Sequence, residues 1–188
     1  MGTDTSLAYT ENGGTMTITL PATIPNALDT VIEVLVEGVP QSGKSYTYSE
    51  NYALNKPATV SNHYQNDAQY SGSAAVDGNS ATRWATDDDI TESWLEVDLG
   101  KETTFNAIRC SEFTSTGGQR VTAYNLEYWD GSEWKVAFTG TGIGDQHTDL
   151  FDAVTARKVR LHILSIDENA QRGPSLWEFG VYHAVAAE

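Results

Sequence analysis

Cysteine is almost missing: Cys110 is the only one in 188 residues, so no internal disulfide can form. It sits in the alternation Ile108-Arg109-Cys110, where the thiol reads as a buried, inert apolar group and not as a nucleophile. Positive charge is scarce too, with 11 Lys and Arg against 26 Asp and Glu and a net charge of -15. Phosphate backbones and anionic headgroups are bound by clustered Lys and Arg, so this balance argues against nucleic acid and against membrane insertion. It suits solubility, divalent cations and neutral ligands. No run approaches the ~18 consecutive apolar residues of a membrane helix. Nor do the residues after Met1-Gly2 form a basic and then apolar export signal. Apolar spacing of three and four, the mark of an amphipathic helix, is never sustained.

What remains is alternation. A hydrophobic content of 39% with 10% aromatics is enough for one full core plus an appendage. Short alternating runs separated by Gly, Asp, Asn and Ser predict an all-β chain. In the N-terminal stretch, Thr15 to Leu20 and Thr30 to Val36 read as strands joined across Pro21 and Pro25. Two strands make a marginal unit, so residues 1–48 are expected to be the terminal strands of a truncated β-sandwich, or a segment packed on the main domain, with Gln41 to Ser49 as linker. The main domain is expected over 49–188. There Leu95, Val97 and Leu99 share one face of a strand that Gly100 is expected to end. Similar alternation marks Asn125 to Trp129, Trp134 to Phe138, Lys158 to Leu164 and Glu178 to Tyr182, and Asp130-Gly131 supplies a hairpin turn. Strands at this spacing imply a sandwich or jelly roll.

Catalytic constellations are not evident. Asp87-Asp88-Asp89 superficially offers the paired carboxylates of a glycosidase, but three consecutive acids project differently and read as a solvated loop. His63, His147, His162 and His183 have neither metal-ligand spacing nor a neighbouring nucleophile turn, and His162 reads as a polar-face strand residue. Gly43-Lys44-Ser45 lacks the earlier glycine of a phosphate loop. The chain is expected not to be an enzyme.

Five ordered landmarks carry a resemblance. They are N-Y-A-L-N-K-P-A-T-V-S at Asn51 to Ser61, A-V-D-G-N-S-A-T-R-W at Ala75 to Trp84, W-L-E-V-D-L-G at Trp94 to Gly100, L-E-Y-W-D-G-S-E-W at Leu126 to Trp134, and G-P-S-L-W-E-F-G-V-Y at Gly173 to Tyr182. The set resembles discoidin-like, coagulation-factor C-type domains, and within them the bacterial carbohydrate-binding modules of family 32. That implies a galactose-binding-domain-like jelly-roll β-sandwich. Met16 to Gly38 is similar to the end of the β-sandwich that follows the barrel in family 29 α-L-fucosidases. Together these imply a non-catalytic C-terminal fragment of an exported bacterial glycosidase, extracellular or at the cell surface. Its partners would be galactose- or fucose-containing glycans and the parent's catalytic domain. The alternative is a structural or protein-adhesion sandwich that braces the catalytic domain and binds no sugar.

The resemblance also implies a structural Ca²⁺ held by the carbonyls of Ala74 and Asn79, the Asp77 carboxylate, the carbonyl and hydroxyl of Thr82, the Trp177 carbonyl and the Glu178 carboxylate. Calcium takes six to eight oxygens, and a tight loop can mix them in this way. Taken alone, Asp77-Gly78 reads as a plain hairpin turn and Glu178 as a solvated edge residue. Sugar recognition in the family lies on loops at one end, here Asn62 to Tyr70, Ala85 to Ser93, Ser111 to Gln119 and Asp167 to Gly173. A sugar site needs an aromatic platform edged by hydrogen-bonding groups, for which His63, Tyr64, Asn66, Tyr70, Asp87 and Asp88 are the leading candidates, with Glu112 and Arg120 added from the neighbouring loop. Glu112 and Phe113 stand where galactose-binding relatives offer an arginine. Arg120 nearby is expected either to present a ligand or to fix the loop by pairing with Glu112. The loops read as acidic and polar, without the apolar spikes and flanking basic residues of membrane binding.

Overall fold

The computed structural model describes residues 7–12, 15–19, 44–115 and 118–187, which fall into two units, Met1–Ser42 and Gly43–Glu188. In the first, β1 (Ala8–Asn12) and β2 (Thr15–Thr19) pair antiparallel, with Ala8 opposite Thr19 and Asn12 opposite Thr15. β2 is the expected strand. Its partner β1 was not anticipated, although the intervening Gly13-Gly14 is the composition of a two-residue hairpin. The expected strand Thr30 to Val36 lies outside the described residues.

The second unit holds β3 (Tyr46–Tyr48), β4 (Ala58–Val60), β5 (Trp84–Ala85), β6 (Ser93–Glu112), β7 (Val121–Trp129), β8 (Trp134–Gly140), β9 (His147–Ile166), β10 (Ser175–Tyr182) and β11 (Ala184–Ala186). The main sheet runs β5-β10-β6-β9-β7-β8, with β4 added on β6. All its pairings are antiparallel.

Gly100 does not end its strand, contrary to the expectation from sequence. At φ 86° it takes a left-handed conformation open to glycine, and pairing with β9 breaks from Asp98–Lys158 and resumes at Thr103–Ala156. The first half of β6 pairs with β4 and the end of β9; the second half pairs with β10 and the start of β9. Two long bent strands therefore pass from one layer to the other, and the sheet folds over as a β-sandwich. The buried positions of β6 shift phase at the second irregularity, from Leu95, Val97, Leu99, Phe105 and Ala107 to Ile108, Cys110 and Glu112. Trp84, Tyr124, Leu126, Leu161, Ile163 and Phe179 complete the core. Cys110 lies within it, and burial pushes its thiol far above the ordinary range, which leaves it unreactive.

The expected linker is partly structural. Its residues Tyr46–Tyr48 form β3, paired with β11 so that Tyr48 faces Ala184. The Arg109 guanidinium lies 3.9 Å from the Tyr48 ring centroid and 5.1 Å from that of Tyr182. The Asp130-Gly131 turn is as expected: the Asp130 carboxylate accepts from the amides of Ser132 and Glu133, and Gly131 sits at φ 102°.

Register decides where the loops go. Val60 faces Leu95, Ser93 faces Ile163, Val121 faces Ile166 and Glu112 faces Leu176. The connections after β4, β5, β6 and β9 therefore emerge at one end of the sandwich.

Candidate functional site

Two features occupy these connections, a carboxylate loop and a cleft. In the first, Asp77 organises its own turn: Oδ1 accepts from the Asn79 amide at 2.9 Å and Oδ2 from the Thr82 hydroxyl at 2.7 Å. The Asn79 carbonyl accepts both the amide and the hydroxyl of Thr82. Gly78, at φ 72°, makes this tight bend without strain. Glu178 comes to the turn from β10, where the ladder with β6 skips from Leu176 to Glu178, so Trp177 has no partner in that register.

Glu178 is not a solvated edge residue. Its Oε1 is buried with no hydrogen-bond partner. Burial first, and then the Asp77 carboxylate, push its carboxyl up to about 7 although the amides of Asn79 and Gly78 pull the other way. Two carboxylates and an orphaned oxygen facing one turn fit a hard cation, with carbonyls and a hydroxyl supplying the other oxygens. Among the described residues no group of three or more His, Cys, Asp or Glu could hold a metal, so any ion here relies on backbone oxygens.

The second feature is a cleft of about 180 Å³. One wall is Tyr64 and Tyr70, carried on the short 3-10 turns Tyr64–Asn66 and Ala68–Tyr70, with ring centroids 5.5 Å apart at 86°. Arg83 lies between rings, 4.9 Å from the Tyr70 centroid and 4.2 Å from that of Phe113, and its Nη1 donates to the Ser175 hydroxyl at 2.6 Å. Arg120 Nη1 donates to the Gly173 carbonyl at 3.0 Å. Arg172 and Asp88 are exposed at the rim. Burial lowers the Arg83 pKa, which Tyr70 opposes and the Arg172 charge reinforces. Burial likewise lowers that of Arg120, opposed by Glu112 and reinforced by Arg83 and Arg172. Gly173 permits the closure of this wall, since a Cβ there would lie 2.2 Å from the Thr86 hydroxyl and 2.4 Å from the Asp87 carbonyl.

Of the expected sugar-binding residues, the structure brings Tyr64, Tyr70, Asp88 and Arg120 into this cleft. Asp87 does not line it. Its Oδ1 accepts the Gln65 amide at 2.8 Å and its Oδ2 the Asn62 amide group at 2.9 Å, which together hold its carboxyl below the usual range. It fastens one loop to the next. His63 and Asn66 also lie outside the lining, Asn66 exposed at φ 54°. Glu112 as a ligand residue is corrected: it is fully buried, and its carboxylate accepts the amides of Arg120, Val121 and Gly144. Arg120, expected either to present a ligand or to fix the loop by pairing with Glu112, donates its backbone amide to Glu112 and also lines the cleft. Arg83, Arg172 and Phe113 were missed. Reading the loops as acidic obscured them, and basic residues falling on ligand-end loops of so acidic a chain were the available signal.

Residues 57–179 match the F5/8 type C domain. The chain belongs to that family. The F5/8 type C domain here is similar to the two chitosan-binding modules of a chitosanase/glucanase from Paenibacillus sp. IK-5. These are 33% and 30% identical, over 71% and 70% of this chain and 99% of each module, both at TM-score 0.62. The second was solved with chitotriose. A Ruminococcus gnavus family 29 fucosidase, solved with fucose, is 28% identical at TM-score 0.62, over 72% of this chain and 27% of the fucosidase. A protein of Oryza sativa subsp. japonica named as an α-L-fucosidase is 26% identical over 72% of this chain. The chain spans about a quarter of that relative's length, 26%. The proteins it matches almost end to end are binding modules, and this domain is a non-catalytic one related to them.

Proposed function

We propose that this chain is a calcium-stabilised carbohydrate-binding module, the non-catalytic C-terminal part of an exported bacterial glycosidase of the α-L-fucosidase kind. Residues 1–48 would be the end of the sandwich that precedes it. Weak sugar binding in an appended module raises the enzyme's effective concentration at its substrate, because the second encounter becomes intramolecular.

The observation that carries this reading is the cleft. Tyr64 and Tyr70 offer ring faces against which a pyranose can lie, edged by Arg83, Arg172 and Asp88 as hydrogen-bonding groups. The similarity to chitosan-binding modules supports it. The ion would be held by the Asp77 and Glu178 carboxylates, the carbonyls of Ala74, Asn79, Thr82 and Trp177, and the Thr82 hydroxyl. The orphaned Glu178 oxygen supports that assignment. Its role is structural, tying the loop after β4 to β10.

A glycan array followed by calorimetric titration, with calcium present and galactose- and fucose-containing glycans first, tests the reading. Saturable binding that Tyr70→Ala abolishes is expected. No binding to any glycan would leave the rival reading, a brace for the catalytic domain. That reading draws on Glu112, buried where galactose-binding relatives offer an arginine.

A further inference from the structure

The arginines of the cleft are out of proportion to the chain. There are 11 Lys and Arg against 26 Asp and Glu. Yet Arg83, Arg120 and Arg172 line this one cleft, in which Asp88 is the single carboxylate among the described residues. Arg120 has Glu112 behind it. Among the described residues Arg83 has no such neighbour: its contacts are the rings of Tyr70 and Phe113 and the hydroxyls of Tyr70 and Ser175, all neutral. A half-buried guanidinium normally meets an acid, because withdrawing a charge from water is costly unless it is paired. Arg172 stands at the rim close enough to depress the Arg83 pKa. The cleft thus holds two guanidinium groups beside an aromatic wall, with Asp88 at the rim as the single carboxylate among the described residues to set against them.

We propose that the cleft takes its glycan through an anionic substituent, a carboxylate or a sulfate ester, received by Arg83 and Arg172 while the sugar ring lies against Tyr64 and Tyr70. This rests on the carbohydrate-binding reading above and adds to it the charge of the ligand. Guanidinium forks match the paired oxygens of both groups. A plain hydroxyl cannot use that match.

Calorimetric titration of the full chain with calcium present tests it. The probes are trigalacturonate, a 6-sulfated galactose oligosaccharide, uncharged galactotriose as the matched control, and a positively charged glucosamine trisaccharide. At least one anionic probe is expected to bind about tenfold or more tightly than galactotriose, with the glucosamine probe weakest of all. Which of the two gains separates carboxylate from sulfate. Arg172→Gln, on the exposed rim, should remove most of that margin by weakening the anionic probe far more than galactotriose. Arg83→Gln should do the same; if loss of its ring contacts unfolds the domain, Arg172→Gln alone decides. Galactotriose binding as tightly as both anionic probes overturns the proposal and leaves the carbohydrate-binding reading standing. A margin that survives Arg172→Gln overturns it too. If none of the four binds, it also falls, and the glycan array then decides whether the wider reading falls with it.

Discussion

Glu112 and Glu178 lie on neighbouring strands, and both carboxylates are drawn out of water, yet they are completed in different ways. Glu112 collects three backbone amides, those of Arg120, Val121 and Gly144, and needs nothing from outside the chain. Glu178 has an oxygen with no partner and a second carboxylate, Asp77, beside it. A buried anion surrounded by N–H groups stabilises a fold by itself. One buried against another anion does so only once a proton or a cation neutralises it. The first is therefore part of the fold, and the second is where we propose a cation.

The largest expected effect tests the first half of that contrast. Glu112→Ala leaves three backbone amides in two segments without an acceptor and should cost about 3–5 kcal/mol in a urea-denaturation measurement. A loss under about 1 kcal/mol would mean that water completes these amides as well as the carboxylate does, and the distinction from Glu178 would collapse.

The second half is tested by metal. Calcium at roughly 100 times its dissociation constant should raise the unfolding free energy by about 2.7 kcal/mol over a chelated sample, seen as a higher Tm in scanning calorimetry. Glu178→Gln should abolish that gain. Without calcium the same variant should be no less stable than the parent, because it removes a like charge beside Asp77. Glu112→Gln should destabilise in both conditions. Parallel behaviour of the two variants would break the comparison.

The two glutamates also mark what was legible beforehand. Alternation and turn residues foretold the strands from Trp94 onward, because period-two burial is written directly in residue order. The phase shift within β6 and the passage through Gly100 were not foretold, since a bend between layers has the same local composition as an end. Asp77 and Glu178 could be singled out by their place in ordered landmarks. Nothing in the sequence announces that the amides of 120, 121 and 144 converge on Glu112, because that depends on how two loops meet. The cleft was half legible: Tyr64 and Tyr70 are close in sequence, whereas Arg83 and Arg172 are brought together only by the pairing of β5 with β10.

That pairing can be strained at one atom. Gly173→Ala would set a Cβ 2.4 Å from the Asp87 carbonyl and 2.9 Å from that of Ile90, backbone atoms that cannot swing away. A cost of about 1–3 kcal/mol is expected by thermal denaturation, together with weaker glycan binding, since the displaced segment carries Arg172. Its calcium response should persist, because Asp77 and Glu178 lie apart from the cleft lining. Loss of both responses together would show that the two sites are one structural unit.

The smallest effect on stability should come from the wall itself. Tyr64→Ala removes an edge-to-face partner of Tyr70, and aromatic pairs are worth about 0.5–1.5 kcal/mol beyond their area. The Tyr64 ring is half-exposed and lies outside the central core, so unfolding should change by no more than that. Sugar binding should suffer far more, because a stacking face has no substitute among the polar groups of the rim. A variant that keeps its calcium-dependent Tm but loses glycan in calorimetry would separate closure of the sandwich from recognition. If Tyr64→Ala binds glycan like the parent, the wall is only a cover for the loop, and recognition must be sought on another surface.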